Sequence, residues 1–409
     1  MNLTFRTPIS KVAALLTLVI VLIALIIRSY DNWTAYKLAT ISVPDGLLKA
    51  SRIEPGNPDY YFLIGYYYMK YDPRSGGNKI ESNYKKAISL LPFNAQYWLS
   101  LSQYLHDKGE SQKALFALEH STQLSPGSVS LRWSAGMLAN FMNATEQVLS
   151  NLNNVIKNDP SRRDKAFSLL WSSVGNGNTI SKSIPENALR DYYKYLIKTR
   201  RSADAGRVLE RLKSTGDDVS DIGYQYVNQL LTEKKFDLAI SEWKEIYGQW
   251  DGVWNGDFEN KIVRRGFDWQ IYGTDGVRIR RVKNSKNGKY SLKVEFDGEH
   301  NVDFRNLVQF IPVEEGTDYT ISSYVMSNNL TTRSGLFWQV ICTDSKDLKA
   351  KSEMITGTND WRSLNLDFTT PESCNMIQLI LRRHVSDDIG QKISGTLWID
   401  SVAIKKRNQ

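Results

Sequence analysis

Two short segments in the C-terminal third carry the side chains best suited to holding a ligand. In Met376–His384 strict alternation separates Ile377, Leu379 and Leu381 from Gln378, Ile380, Arg382 and His384. In Gly335–Thr343 it separates Trp338 and Val340 from Phe337, Gln339 and Ile341. An aromatic ring presents a flat apolar surface to one face of a sugar, while planar amides, guanidinium and imidazole groups reach the sugar's hydroxyls. Trp338 or Gln339 with Gln378, Arg382 and His384, joined by Phe304 and Arg305 from a neighbouring loop, is therefore the candidate glycan-binding platform. The competing reading makes Trp338 a core residue and the Arg/His side a solvated surface.

Covalent chemistry has no comparable constellation. His106, His120, His300 and His384 show no HExxH spacing, and no GxSxG, P-loop or CxxC motif occurs. The paired carboxylates Glu314–Glu315 and Asp387–Asp388 sit in turn-like sequence, where solvated charge is the ordinary outcome. The expectation is a protein that is not an enzyme. Asn-x-Thr patterns at Asn2, Asn32, Asn143 and Asn329 carry no weight, because a three-residue pattern recurs by chance.

The platform needs a sheet to hold it. From about Val253 helical spacing gives way to short alternating runs bounded by Gly, Asn, Asp and Pro, which predicts an antiparallel sandwich. Strands are predicted at Trp269–Tyr272, Tyr290–Phe296, Leu307–Pro312, Asp318–Ser327, Gly335–Thr343, Trp361–Phe368, Met376–Arg383 and Gly395–Lys405, enough for an all-β jelly roll.

Within this stretch Asn255-Gly256-Asp257-Phe258-Glu259, Gly266-Phe267-Asp268-Trp269, Gly288-x-x-Ser291-Leu292-x-Val294, Gly316-x-x-Tyr319, Trp361 with Phe368 and Pro371, and Trp398-Ile399-Asp400-x-Val402 follow one another in order. Residues 253–406 resemble the carbohydrate-binding modules of families 4 and 9, galactose-binding-like jelly rolls. The motifs speak for fold: Phe258, Leu292, Tyr319, Phe368 and Val402 are expected in the core, with Trp361 plugging it. The resemblance also implies a structural calcium where first and last strands meet, with Glu259 and Asp400 at the corresponding positions.

The middle of the chain has a different period. Pro55, Pro92, Pro126 and Pro160 recur at intervals of 37, 34 and 34 residues, the repeat length of stacked helical hairpins. Around Pro126, Trp98, Leu101, Gly109 and Ala114 fall where a tetratricopeptide repeat wants an aromatic, an aliphatic, a turn residue and a small residue. The stretch resembles that family. Its neighbours are looser: Gly136 and Leu152 fit one unit, and Gly65 and Ala87 fit another only with three residues inserted around Asp72–Asn78. With helices also predicted at Ala188–Thr199, Ala203–Ser214, Ile222–Thr232 and Phe236–Tyr247, an all-α solenoid of five or so hairpins is expected over residues 31–250. A solenoid offers a concave groove for protein partners, and Tyr60, Tyr61, Tyr66, Tyr67, Tyr68 and Tyr71 either line it or pack between helices.

At the N-terminus Val12–Ile27 is an uncharged run of sixteen residues, about 24 Å of helix and long enough to span with help from Ile9 and the stem of Lys11. A cleaved signal peptide competes, but bulky and charged residues follow Ile27, so an uncleaved membrane anchor over residues 1–30 is preferred. Arg6, Lys11 and the α-amino group precede the run while Arg28 and Asp31 follow it, which places the N-terminus in the cytoplasm and the bulk outside, in the periplasm for a Gram-negative source. The net charge of +8 is dispersed, its longest runs being Arg278–Arg281 and Lys405–Arg407, so nucleic acid is not an expected partner. Cys342 and Cys374 are either a bridge or two buried thiols. The combination resembles repeat proteins found with bacterial exopolysaccharide or O-antigen systems: a single-pass inner-membrane scaffold with protein partners on its repeats and polysaccharide on its β domain. The alternative is an adaptor whose jelly roll binds no sugar.

Overall fold

The structure is a computed structural model that describes residues 8–74, 77–331, 333–385 and 391–407. Arg6, the Asn2-x-Thr4 pattern and Asp387–Asp388 lie outside the described residues. Contact density divides the chain into two compact units, residues 1–195 and 196–409.

The first unit is helical. Its elements are α1 (Pro8–Ile41), α2 (Asp45–Ile53), α3 (Pro58–Tyr71), α4 (Gly77–Leu90), α5 (Ala95–Asp107), α6 (Ser111–Leu124), α7 (Val129–Phe141), α8 (Thr145–Asn158), α9 (Arg163–Val174), α10 (Gly177–Ser183) and most of α11 (Leu189–Lys198). The four periodic prolines each fall two residues past the end of an even-numbered helix, α2 to α8. There Pro stops a helix by removing an N–H donor and disfavouring α geometry in the residue before it. Asn57, Asn94 and Ser128 then cap α3, α5 and α7 by accepting from Asp59 N, Gln96 N and Leu131 N. Within hairpins, small residues let the partner helix approach. A Cβ on Gly65 would lie 2.9 Å from the Tyr84 ring, one on Gly136 would lie 2.8 Å from Leu152, and Ser102 Oγ donates to Ala114 O at 2.7 Å. Of the six tyrosines in α3, Tyr60 and Tyr68 are buried, whereas Tyr66 and Tyr71 are exposed.

Helix α1 has two parts. Val12–Ile27 has its side chains exposed along its length, and a window within Lys11–Ile41 is long and apolar enough to cross a membrane. Ala35 is fully buried and joins the same core as Leu47 and Ala50 of α2, so the helix runs unbroken into the first hairpin.

The second unit joins three helices, α12 (Ser202–Ser214), α13 (Ser220–Thr232) and α14 (Phe236–Tyr247), to an all-β sandwich. Ten strands follow: β1 (Gln270–Ile271), β2 (Val277–Val282), β3 (Ser291–Asp297), β4 (Phe304–Pro312), β5 (Asp318–Leu330), β6 (Phe337–Cys342), β7 (Lys349–Lys351), β8 (Gly357–Thr369), β9 (Met376–Arg383) and β10 (Ser394–Lys406). They form two antiparallel five-stranded sheets, ordered β1-β4-β9-β6-β7 and β2-β3-β10-β5-β8, as a jelly roll requires. Phe258, Leu292, Tyr319, Phe368 and Val402 all lie in the core between the sheets. Trp361 does not plug it: the side chain is only half-buried and is absent from that core. Cys342, at the end of β6, is bridged to Cys374 with a Cα–Cα distance of 5.9 Å, which settles the two alternatives left by the sequence.

No slack segment separates helix from sheet in this unit. Trp243 of α14 is fully buried, with ring centroids 5.3 Å from Trp254 and 5.9 Å from Phe267 of the β domain. Gly266 N donates to Asn228 Oδ1 of α13 at 2.7 Å, and a Cβ at Gly266 would meet the Trp243 ring at 2.2 Å. Glycine here has φ +59°, so both the conformation and the close approach demand it.

Candidate functional site

Register fixes which side chains share the outer face of the first sheet. Gln270 pairs with Val308, Val308 with Ile380, Ile380 with Gln339 and Gln339 with Lys351, a row running across all five strands. On one side of it lies the row Phe310, Gln378, Ile341 and Lys349, and on the other Arg382 beside Phe337. Directly opposed residues point to the same side of a sheet. The result is a mixed surface with amides at its centre and the cations Arg382, Lys349 and Lys351 around it.

Gln339, Gln378 and Arg382 therefore do come together, and His384 joins them just past the end of β9, its ring 5.5 Å from Phe337. Gln339 is 7% exposed and Gln378 is half-buried, so their amides sit at the floor of the face. Arg382 is held in place by Asp303 Oδ1 at 2.8 Å and by Phe304 O at 3.1 Å. Burial, then the neighbouring Arg382, push the His384 imidazole below its ordinary pKa. This favours the neutral ring, which offers one donor and one acceptor.

Trp338 does not belong to this face. Its side chain is fully buried, its indole N–H donates to Ser323 Oγ at 2.9 Å, and its ring stacks obliquely on Trp269 in the core. The alternation was legible, but it does not say which side faces inward, and the larger ring filled the core. Phe304 is likewise buried, while Arg305 is exposed. The ring available on this face is Tyr272, 53% exposed, whose hydroxyl donates to Gln270 Oε1 on β1. Sequence reading did not single out Tyr272; the signal that could have found it is its place in the predicted strand Trp269–Tyr272, on the same side as Gln270 by alternation.

Glu259 and Asp400 meet the same loop between β2 and β3, but with hydrogen bonds. Glu259 Oε1 accepts from Lys289 N and Tyr290 N at 2.6 and 2.9 Å. Those two N–H groups hold the Glu259 carboxyl below its ordinary pKa. Fully buried Asp400 accepts from Lys286 N and Asn287 N at 2.7 and 2.9 Å through Oδ2. Calcium takes six to eight oxygen ligands, and two carboxylates that each give one oxygen to the N–H groups of this loop supply few of them; as arranged, these residues clamp a loop. Asp400→Ala is expected to lower the stability of the β domain by about 2–4 kcal/mol, since two N–H groups lose a carboxylate acceptor. Urea melts followed by tryptophan fluorescence measure this, and an unchanged midpoint would show the clamp to be idle.

Among the described residues one group of three carboxylates lies close enough to share a cation, Glu210, Glu242 and Glu245. Lys213 Nζ already fills it, at 2.8, 3.1 and 2.9 Å.

Residues 250–383 match a protein family described as Carbohydrate binding domain. The β domain is of carbohydrate-binding-module type. Among solved structures, one titled "CBM4 structure and function" is 17% identical, covers 38% of this chain and 99% of its own, and has a TM-score of 0.29. The enzymatically active domain of tailspike protein 4 of bacteriophage CBA120 is 16% identical over 38% of this chain, with a TM-score of 0.28, and the match spans 21% of that chain. A structure titled "Crystal structure of MamA protein" is 15% identical over 46% of this chain and 94% of its own, with a TM-score of 0.32. No curated protein matches the chain.

Proposed function

We propose that this protein is a non-enzymatic scaffold of the bacterial envelope, held in the inner membrane by α1 with its bulk outside the cytoplasm, and that it serves exopolysaccharide or O-antigen assembly or export. Its helical hairpins bind a protein partner, and the outer face of the β1–β7 sheet contacts polysaccharide. The observation that carries the glycan half is the grouping of Gln270, Gln339, Gln378, Arg382 and His384 beside the exposed Tyr272 ring, on a domain matched to a carbohydrate-binding family. Amides and a fixed guanidinium supply donors and acceptors for hydroxyls, and the tyrosine ring supplies the apolar contact. Two further features support the placement. The exposed apolar length of α1 suits a bilayer. The bridged Cys342–Cys374 suits an oxidising compartment.

Glycan-array binding by the purified full chain tests this reading. Arg382→Ala with Gln378→Ala is expected to weaken binding to its preferred glycan at least tenfold, from the loss of a charge-assisted and a neutral hydrogen bond of about 1–3 kcal/mol each. Burial of Trp338 leaves the face without a tryptophan, which favours the second reading, an adaptor whose jelly roll binds protein alone. Absence of any glycan signal from the wild-type chain would select it.

A further inference from the structure

A groove of about 590 Å³ lies where α13 meets the β domain, well away in sequence from the sheet face described above. Its walls are Ile197 of α11 with Arg200 just past it, Tyr224, Asn228 and Gln229 of α13 with Glu233 just past it, and Arg265 from the loop before β1. Three features set it apart from an ordinary crease.

The first is charge. Arg265 lies over the Tyr224 ring, 4.0 Å from its centroid, which orients the guanidinium and leaves its N–H groups in the plane free to bond. Among the described residues neither Arg265 nor Arg200 has a carboxylate partner, although both border the groove. The one acid in the wall, Glu233, is already engaged: it accepts from Ser202 Oγ at 2.6 Å and Gln229 Nε2 at 2.9 Å, and pairs with Lys235 at 2.7 Å. The groove thus presents two uncompensated cations.

The second is an orphan acceptor. Gln229 is 9% exposed, and its Oε1 is buried without a hydrogen-bond partner among the described residues. Its orientation is fixed chemically, because the carboxylate of Glu233 only accepts and so must face the Gln229 NH₂. A buried acceptor without a donor is costly; Gln229 lines the groove, and a small turn of its amide would bring this acceptor to an O–H or N–H of an occupant.

The third is what the walls lack. Among the described residues no strand residue lines the groove, so an extended peptide would gain no ladder of main-chain bonds. Ile197 is the only aliphatic side chain in the lining, so an amphipathic helix would find little to anchor its apolar face.

We infer that this groove is a second ligand site, separate from the sheet face, that takes a carboxylated sugar unit: the anion between Arg200 and Arg265, and a ring hydroxyl donating to Gln229 Oε1. The inference rests on the reading that the protein meets polysaccharide. It narrows that polysaccharide to an acidic one.

The test uses the detergent-solubilised full chain and short oligomers of galacturonate, glucuronate and mannuronate, with methyl-esterified galacturonate as the uncharged counterpart. At least one free-acid oligomer is expected to bind, with affinity that falls as salt rises, and the ester is expected to bind at least tenfold more weakly. Arg200→Ala with Arg265→Ala, both at exposed positions, should weaken the acid's binding at least tenfold, while Lys85→Ala with Lys113→Ala, the same loss of exposed charge from α4 and α6, should leave it within twofold. Gln229→Met should weaken acid and ester alike. The inference is overturned if none of the acids binds, if the ester binds as well as the acid, if the double arginine variant binds unchanged, or if oligoglutamate competes better than every sugar. Loss of binding in the Arg382/Gln378 variant alone would place the acid on the sheet face and overturn the groove while sparing the glycan reading.

Discussion

Trp338→Ala is expected to lower the stability of the β domain by about 3–5 kcal/mol, the range for removing a large aromatic from a packed core. The side chain is fully buried between the sheets, beside Trp269, and its loss would also leave Ser323 Oγ without the indole donor. Trp338→Phe restores most of the volume and should cost about 1–2 kcal/mol, chiefly for the lost hydrogen bond. Chemical denaturation of the full chain, followed by far-UV signal from the sheet, separates the two. If instead Trp338→Ala folded as well as wild type and lost only glycan affinity, the residue would be a ligand platform and its assignment to the core would fail.

The second large effect concerns where the β domain can be cut. A chain beginning at residue 251 would lose α14, and with it the Trp243 ring that packs on Trp254 and Phe267. Each large aromatic buries about 150–250 Å², so stripping this contact removes roughly 4–6 kcal/mol of apolar burial at ~25 cal/mol per Å². It also frees Gly266 N from Asn228. We expect residues 251–409 to aggregate or to melt at least 10 °C below residues 196–409, which keep α12–α14. Equal melting temperatures for the two chains, by calorimetry, would show the helix–sheet seam to be ornamental.

Most of the β architecture was legible because strands buried on one side alternate visibly. Met376–Arg383 was delimited to the residue, and the other seven predicted strands were placed within a few positions of their ends. The two strands that escaped notice explain the limits. Val277–Val282 reads as a run of arginines, yet it pairs with β3, where Arg280 meets Glu295 at 3.0 Å and Arg281 donates to Phe258 O at 2.6 Å. Lys349–Lys351 is three residues long, too short for any period, and became a strand only through its register with β6. Both are edge strands, where charged side chains are tolerated and discourage pairing with other chains.

The helical half was read from its punctuation. Prolines past the helix ends and small residues at close crossings identified the hairpins around Pro92 and Pro126, whereas α9 ends at Gly175 without a proline and Pro185, two residues past α10, falls outside the 34-residue period, so neither helix was anticipated. The candidate site was legible as a set of strand positions but not as a surface. Alternation grouped Gln378, Arg382 and His384 correctly, but only packing could decide that Trp338 points inward while Tyr272, just past a two-residue strand, stays in solvent. Likewise the positions of Glu259 and Asp400 suggested a cation, and only the backbone N–H groups of the β2–β3 loop showed what their oxygens accept.

The central claim is that the outer face of the β1–β7 sheet meets polysaccharide while the chain is anchored in a membrane. Hydrogen exchange of the full chain in nanodiscs, with and without the surface polysaccharide of its source cell, addresses it directly. The account predicts slowed exchange in residues 270–272, 337–342 and 376–384, with no change in residues 318–330 of the opposite sheet. Unchanged exchange across the first set, or protection confined to the opposite sheet, would contradict it.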